Sequence, residues 1–317
     1  VVWWPGGGRV MSGPVEPTDV GSNNDSLSRV EVRQGRETSV GGLDIIRVLP
    51  TKGRRTVGPW CFVDCMAPPD FDDPEPMEVG PHPHIGLSTV TWLFEGEALH
   101  GDSLGTEQPI RPGQLNLMTA GRGIAHAELG TADRIQGVQM WLAQPEETRH
   151  GESRFEHHAE LPEFDLGGGT ATVILGSAAG VASPAEVDSD LVGIDLSMGA
   201  GSVELEADPR FEYAVVPIDA PVLVGPEVVE PGWLALVPGG LEMLPIEARS
   251  DASMMVLGGV PLEDRIQMWW NFVARDKDEL TQAWRDWQAG NTDRFGPVPS
   301  KLARIDAPPP PWLRSTD

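Results

Sequence analysis

An all-β protein of two barrels in tandem, finished by one short C-terminal helix, is what this sequence predicts, and three observations carry that expectation. A length of 317 residues suits about two domains of ordinary size. Short runs rich in β-branched and aromatic residues, separated by glycine and proline, recur in both halves. A helical stripe with a capping signal stands near the end, between Asp276 and Gly290.

The opening VVWWPGGGRV has no periodicity, and Met11-Ser12-Gly13-Pro14 reads as a start of translation in its own right. The polar residues that follow predict a flexible arm, so residues 1–39 are set apart from the first barrel, residues 40–145. Two apolar runs, Leu43 to Val48 and Trp60 to Val63, are its first strands, and the Pro-, Asp- and Glu-rich stretch from Met66 to Val79 is an acidic loop. HPHIGLSTVTWLFEGE, from His82, is a strand ended by the turn signal Glu95-Gly96-Glu97. Leu99 to Glu107, with His100, reads as a loop. After Arg111-Pro112-Gly113 come an apolar run, Leu115 to Met118, and the glycine-punctuated Ala120-Gly121-Arg122-Gly123, a tight return that carries His126 back beside the first strand. GVQMWLA, Gly137 to Ala143, closes the barrel as a buried strand.

Residues 146–164, containing EETRHGESRFEHH, read as a segment crossing between the halves. The second barrel, residues 165–262, repeats the texture of the first in Val192–Leu196, Val203–Leu205, Tyr213–Ile218, Val222–Val224, Leu234–Val237 and Met254–Leu257. No histidine lies between Asp165 and Pro261, which excludes a second histidine-based metal site there. In residues 263–317, Asp276 and Glu279 have the spacing of a capping box, Leu280, Ala283, Trp284 and Trp287 form the apolar stripe, and Gly290 ends the helix. The tail Pro308 to Pro311 with Trp312 is expected to lie as a strap on its own barrel.

Forty-eight acidic against 23 basic residues give a net charge of −25, which disfavours direct contact with nucleic acid. No apolar run reaches the length of a membrane span and no secretory signal is visible, so a cytoplasmic protein, expected to be monomeric, follows. Cys61 and Cys65 are the only cysteines and do not form a C-x-x-C pair; buried strand thiols are the expectation.

The chemistry concentrates in two clusters, His82-Pro83-His84 and His126-Ala127-Glu128. Residues two apart in a strand share a face, so each cluster projects two candidate ligands together, and two such strands side by side present four to one ion. By the same parity Gly86, Ser88, Val90, Trp92 and Phe94 would share the face of His82 and His84. Three imidazoles and a carboxylate without a thiolate suit a divalent first-row metal, and four protein ligands on an octahedral ion leave two positions open. His100, His150, His157 and His158 are not counted as ligands; the last two are adjacent and face opposite ways in a strand.

HPHIGLSTVTWLFEG followed by PGQLNLMTAGRGIAHAE resembles the pirin family of the cupin superfamily, over about Gly42 to Trp287. The resemblance implies two tandem cupin (jelly-roll) barrels, the N-terminal one holding iron on His82, His84, His126 and Glu128. Fe(II) is the expected ion, with Mn(II), Ni(II) and Zn(II) as alternatives. The chain departs from the broader cupin pattern at Ser88, where many cupins and many pirins carry a ligand glutamate, so Glu128 supplies the carboxylate.

The activity that this resemblance implies is that of a quercetin 2,3-dioxygenase, which joins O2 to a flavonol-like or related small aromatic substrate. Glu128 is then the candidate catalytic base for the substrate hydroxyl as well as a ligand. Trp92, Phe94 and Met118 are candidates to line an apolar pocket, with a core role the stronger expectation for each. Two other classes stand beside it: a redox-sensing iron protein that regulates a transcription factor or metabolic enzyme by protein contact, and a zinc-dependent isomerase.

Overall fold

The computed structural model of the chain describes residues 26–41, 43–66, 77–132 and 134–313. The expected translation start at Met11, the first part of the arm and most of the acidic loop fall outside them.

The N-terminal half contributes β1 (Glu31–Gln34), β2 (Arg36–Val40), β3 (Leu43–Leu49), β4 (Trp60–Met66), β5 (Glu78–His84) and β6 (Leu87–Glu95). Next come β7 (Ala98–Asp102), β8 (Glu107–Ile110), β9 (Leu115–Thr119), β10 (Ile124–Gly130), β11 (Gln136–Ala143) and β12 (Arg154–His158). Two sheets build the barrel: a large one in the order β12-β9-β6-β11-β4-β3-β2 and a small one in the order β5-β10-β7-β8. β4, WCFVDCM, is buried at every position, as a strand must be when both of its faces are covered. Inside, Leu43, Ile45, Met66 and Leu93 of the large sheet meet Val79, Ala98 and Ile110 of the small one.

The second half adds β13 (Glu163–Asp165), β14 (Gly169–Ala178), β15 (Val181–Ala182), β16 (Leu191–Met198), β17 (Gly201–Glu206) and β18 (Glu212–Pro217). It continues with β19 (Val222–Val224), β20 (Glu227–Val229), β21 (Trp233–Val237), β22 (Met243–Ala248), β23 (Ala252–Gly259), β24 (Gln267–Trp269) and β25 (Phe272–Ala274). Its large sheet runs β1-β21-β18-β23-β16-β14-β13, with β15 on β14, against the small sheet β17-β22-β19-β20. β17, GSVELE, alternates buried and exposed residues over most of its length, the mark of a strand with one face in water.

The two barrels meet through the outer faces of their large sheets. Val90, Trp92, Leu115, Leu117, Val138 and Met140 from the first pack on Ala214, Val216, Leu234, Leu236, Met255 and Leu257 from the second. Burial of these apolar side chains opposes separation of the two barrels.

Three stretches differ from the sequence expectation. Residues 31–40, read as part of a flexible arm, form β1 and β2; β1 pairs with β21 of the second barrel and β2 with β3 of the first. Gly35 is the crossing point, where a Cβ would stand 2.5 Å from the carbonyl oxygen of Gly232. The segment read as crossing between the halves is not all connection: within it Arg154–His158 is the edge strand β12, paired with β9. The stretch read as a loop around His100 contains β7, paired with β10.

The helix forms as expected, α1 (Lys277–Gln288), with the Asp276 carboxylate accepting from the Glu279 amide at 2.9 Å. Leu280, Ala283 and Trp287 pack on Ile85, Ala125 and Phe272, covering the outer face of β5 and β10. A short helix, α2 (Thr292–Phe295), follows, and the tail is strapped down where Ile305 N–H donates to Pro81 O at 2.9 Å and Trp287 Nε1 to Ile305 O at 2.9 Å. No helix among the described residues is long and apolar enough to cross a membrane.

Candidate metal centre

Three neighbouring strands of the small sheet build the centre. His82 and His84 project from β5, His126 and Glu128 from β10, and His126 pairs in register with His82 on one side and Asp102 on the other. Gly80-Pro81 opposes Ala127 alone, a bulge that lets β5 turn its histidines inward while the tail lies across its outer face. All four predicted ligands are buried, at 6% exposure for His82, 1% for His84, 1% for His126 and 7% for Glu128.

The ligand-competent atoms of His82, His84 and His126 lie within 4.8 Å of one another. Those of Glu128, His126 and His100 form a second such group, so His126 belongs to both and Glu128 sits on the β7 side. The structure thus brings together the three predicted histidines, with the predicted glutamate one neighbour along.

Backbone carbonyls orient two of the rings. His82 Nδ1 stands 2.8 Å from Gly80 O and His84 Nδ1 3.1 Å from Asn271 O. A carbonyl oxygen only accepts, so both Nδ1 atoms carry hydrogen and both Nε2 atoms offer lone pairs inward. His84 Nε2 lies 3.0 Å from His126 Nε2. Two bonds of about 2.1 Å at a right angle span a chord of about 3.0 Å, so the pair is spaced as neighbouring ligands on one ion.

Electrostatics agree with that fit. Burial holds His82 down to about 4 and drives His84 and His126 well below the ordinary imidazole value, so at neutral pH all three are uncharged and able to ligate. Burial raises the Glu128 carboxyl above its ordinary range, and the Thr91 hydroxyl stands 3.4 Å from its Oε1. A cation here would neutralise the carboxylate and satisfy the inward lone pairs, so the residues present fit a divalent metal.

The wall of the site differs from the sequence reading. Gly86, at φ +64°, follows β5, and the chain passes into β6 of the other sheet, so the parity carried on from His84 does not hold. Thr91 on β6 reaches Glu128, whereas Val90 and Trp92 face the second barrel. Trp92 and Phe94 are therefore core between the barrels; Met118 packs with Ala120, Ile124 and Phe155. The aromatic wall is Trp141, whose ring centroid is 5.2 Å from that of His84, with Phe62 stacked on it at 3.9 Å. Ser88 donates to Thr119 at 3.0 Å and is not a ligand.

His100, which the sequence places in a loop, is the neighbour that a reading of motifs misses. The signal available is its spacing from Asp102, the same two-residue interval as His82 and His84. The other histidines stay apart: His157 bonds Asn116, His158 bonds Glu156, and His150 lies 3.8 Å from Glu279. Cys61 and Cys65 are free and buried, with thiols pushed up to about 12, as expected of inert strand cysteines. A cavity of about 260 Å³ lies in the second barrel, where Asp190, Asp208 and Arg210 satisfy one another.

Comparison with known proteins agrees with this architecture. The family described as Pirin matches residues 42–142, and the Pirin C-terminal cupin domain matches residues 192–296. A Pseudomonas aeruginosa protein named "Putative quercetin 2,3-dioxygenase" is 40% identical over 311 residues, covering 95% of this chain and 98% of the relative. A pirin-like protein of Caulobacter vibrioides is 38% identical over 270 residues, covering 82% and 93%. The crystal structure of a quercetin 2,3-dioxygenase from Acinetobacter baumannii superposes with a TM-score of 0.87 at 36% identity, covering 92% of this chain and 99% of that one.

Proposed function

Because this chain belongs to the pirin family, as a bicupin with a histidine-rich candidate metal site, we propose that it is a metal-dependent dioxygenase of the quercetin 2,3-dioxygenase type, using Fe(II) and O2 on a flavonol-like or related small aromatic substrate. The observation that supports it is the convergence of His82, His84 and His126 with their inward Nε2 lone pairs. His82, His84, His126 and Glu128 would hold the ion. When bound, it supplies Lewis acidity toward the substrate hydroxyl and the electronic access to O2 that an organic molecule lacks.

The remaining work falls to side chains of this chain. Glu128 is the carboxylate of this chain placed to take the proton of the substrate hydroxyl, beside the three histidines and within reach of His100. Thr91 Oγ1 lies 2.8 Å from Gln139 Oε1 and 3.4 Å from Glu128 Oε1, which places one polar side chain of β6 beside that carboxylate. Trp141 is the aromatic side chain beside His84, held in its plane by Phe62 stacked on it, and would keep water from that side of the ion.

A second reading, a redox-sensing iron protein that acts on a protein partner, is favoured by the burial of all four candidate ligands. O2 uptake decides between the two. Anaerobically purified protein reloaded with Fe(II) should consume O2 and bleach quercetin absorbance, and His84→Ala should do neither. Stoichiometric iron without turnover would favour the sensor.

A further inference from the structure

His100 and Asp102 stand behind the centre in a way that the four-ligand reading leaves unexplained. Both are buried on β7, at 2% and 0% exposure, and both face the same interior as His126 and Glu128. His100 Nε2 lies 3.1 Å from Asp102 Oδ2, and His100 Nδ1 lies 3.4 Å from His126 Nδ1. The other carboxylate oxygen, Oδ1, accepts from the amides of Leu104 at 2.9 Å and Thr106 at 3.1 Å. Phe155 stacks on the His100 ring at 4.5 Å between centroids, which fixes its plane.

We infer that Asp102 and His100 are positioning residues that set the tautomer of His126, so that its Nε2 lone pair faces the metal. The direction of each hydrogen bond follows from Asp102. Its carboxylate only accepts, so His100 carries hydrogen on Nε2 and leaves Nδ1 as an acceptor. With a metal on the Nε2 atoms of His84 and His126, which lie 3.0 Å apart, His126 donates from Nδ1 to His100 Nδ1 and its Nε2 lone pair is free for the ion. The chain of three side chains does for His126 what the carbonyls of Gly80 and Asn271 do for His82 and His84. His100 is accordingly a partner of a ligand and not a fifth ligand, although its ring lies within reach of Glu128.

Asp102→Asn is the informative change. The two backbone amides still require an oxygen at the Oδ1 position, so the new amide nitrogen faces His100 Nε2 and donates to it. His100 then carries its hydrogen on Nδ1, His126 Nδ1 becomes the acceptor, and the hydrogen of His126 moves to Nε2, where it blocks the lone pair.

The inference rests on the metal-centre reading, and its test separates the two. Nitrogen-15 histidine spectra of the full-length wild-type protein should show His100 as the Nε2–H tautomer both metal-free and loaded with Zn(II), and His126 as Nδ1–H in the Zn(II)-loaded protein. In Asp102→Asn, metal-free His100 should switch to Nδ1–H, and Zn(II) affinity should fall about 10- to 100-fold with an unchanged circular dichroism spectrum. Wild-type tautomers opposite to these, or an Asp102→Asn protein with unchanged tautomers and affinity within about twofold of wild type, would overturn it. Should Asp102→Asn not fold, the wild-type tautomers decide alone. Wild-type protein that takes up no metal would sink the metal-centre reading, and the tautomers would still report on the chain of hydrogen bonds.

Discussion

Trp92 Nε1 donates a hydrogen bond to Asp195 Oδ2 at 3.0 Å, joining β6 of the first barrel to β16 of the second inside an otherwise apolar contact. Burial lifts the Asp195 carboxyl to about 6, with Asp219 and Glu163 adding to the rise, so near neutrality an ionised carboxylate is held where water is scarce.

Asp195→Asn should therefore stabilise the protein. A carboxyl whose folded value is raised favours the folded state at low pH and loses that contribution as pH rises through about 6. The variant lacks this loss and keeps an oxygen for Trp92. Thermal melting should show a gain of about 1–3 kcal/mol at pH 7.5 that shrinks toward zero near pH 4.

His82→Ala and His126→Ala should each lose bound metal while keeping the fold. Elemental analysis should fall from about one ion per chain to below about a tenth, with little change in circular dichroism. Unchanged metal content in both would remove these residues from the ligand set.

Acid should destabilise the metal-free protein through its histidines. The folded chain holds His82 at about 4 against an ordinary 6.5, with His84 and His126 also far down. Between those values the unfolded chain binds protons that the folded chain refuses, so stability falls as pH drops from 6.5 toward 4. Glu128, shifted upward, opposes this in part, since its folded form gains stability as pH falls through its raised value. The His82 contribution is about 3 kcal/mol at most. Metal-free His84→Leu/His126→Leu protein should give a flatter curve of melting temperature against pH.

Glu128→Gln tests the base directly. Steady-state kinetics of the Fe(II)-loaded variant, corrected for its metal content, should show kcat lower by about 100-fold or more. A kcat within about threefold of wild type would assign the proton to another group.

The four candidate ligands are legible because strand parity needs no knowledge of tertiary structure: two residues apart means one face. The same rule fails beyond Ile85, because the chain at Gly86 passes from one sheet to the other and resets which side is inward. Parity thus places Trp92 and Phe94 beside the candidate metal site when Trp141 stands there, backed by Phe62 and brought in by a strand pairing that no local pattern encodes. His100 escapes a local reading because ALHGD is short and polar for a strand, and its pairing with β10 makes it one. β1 and β2 are hidden by their polar residues: EVRQ and RETSV leave every side chain exposed or half-buried and are held by pairing to their neighbours.

The pairing of β1 with β21 also bears on synthesis. Glu31–Gln34 leaves the ribosome early, yet the strand it must join, Trp233–Val237, is translated some two hundred residues later. A nascent chain arrested after the first barrel therefore carries a strand with no partner and open hydrogen-bonding groups, the kind of edge that recruits other chains. The second half of the protein thus supplies the partner that its beginning lacks during synthesis, so premature termination leaves an open strand edge on the first half as well as removing the second barrel.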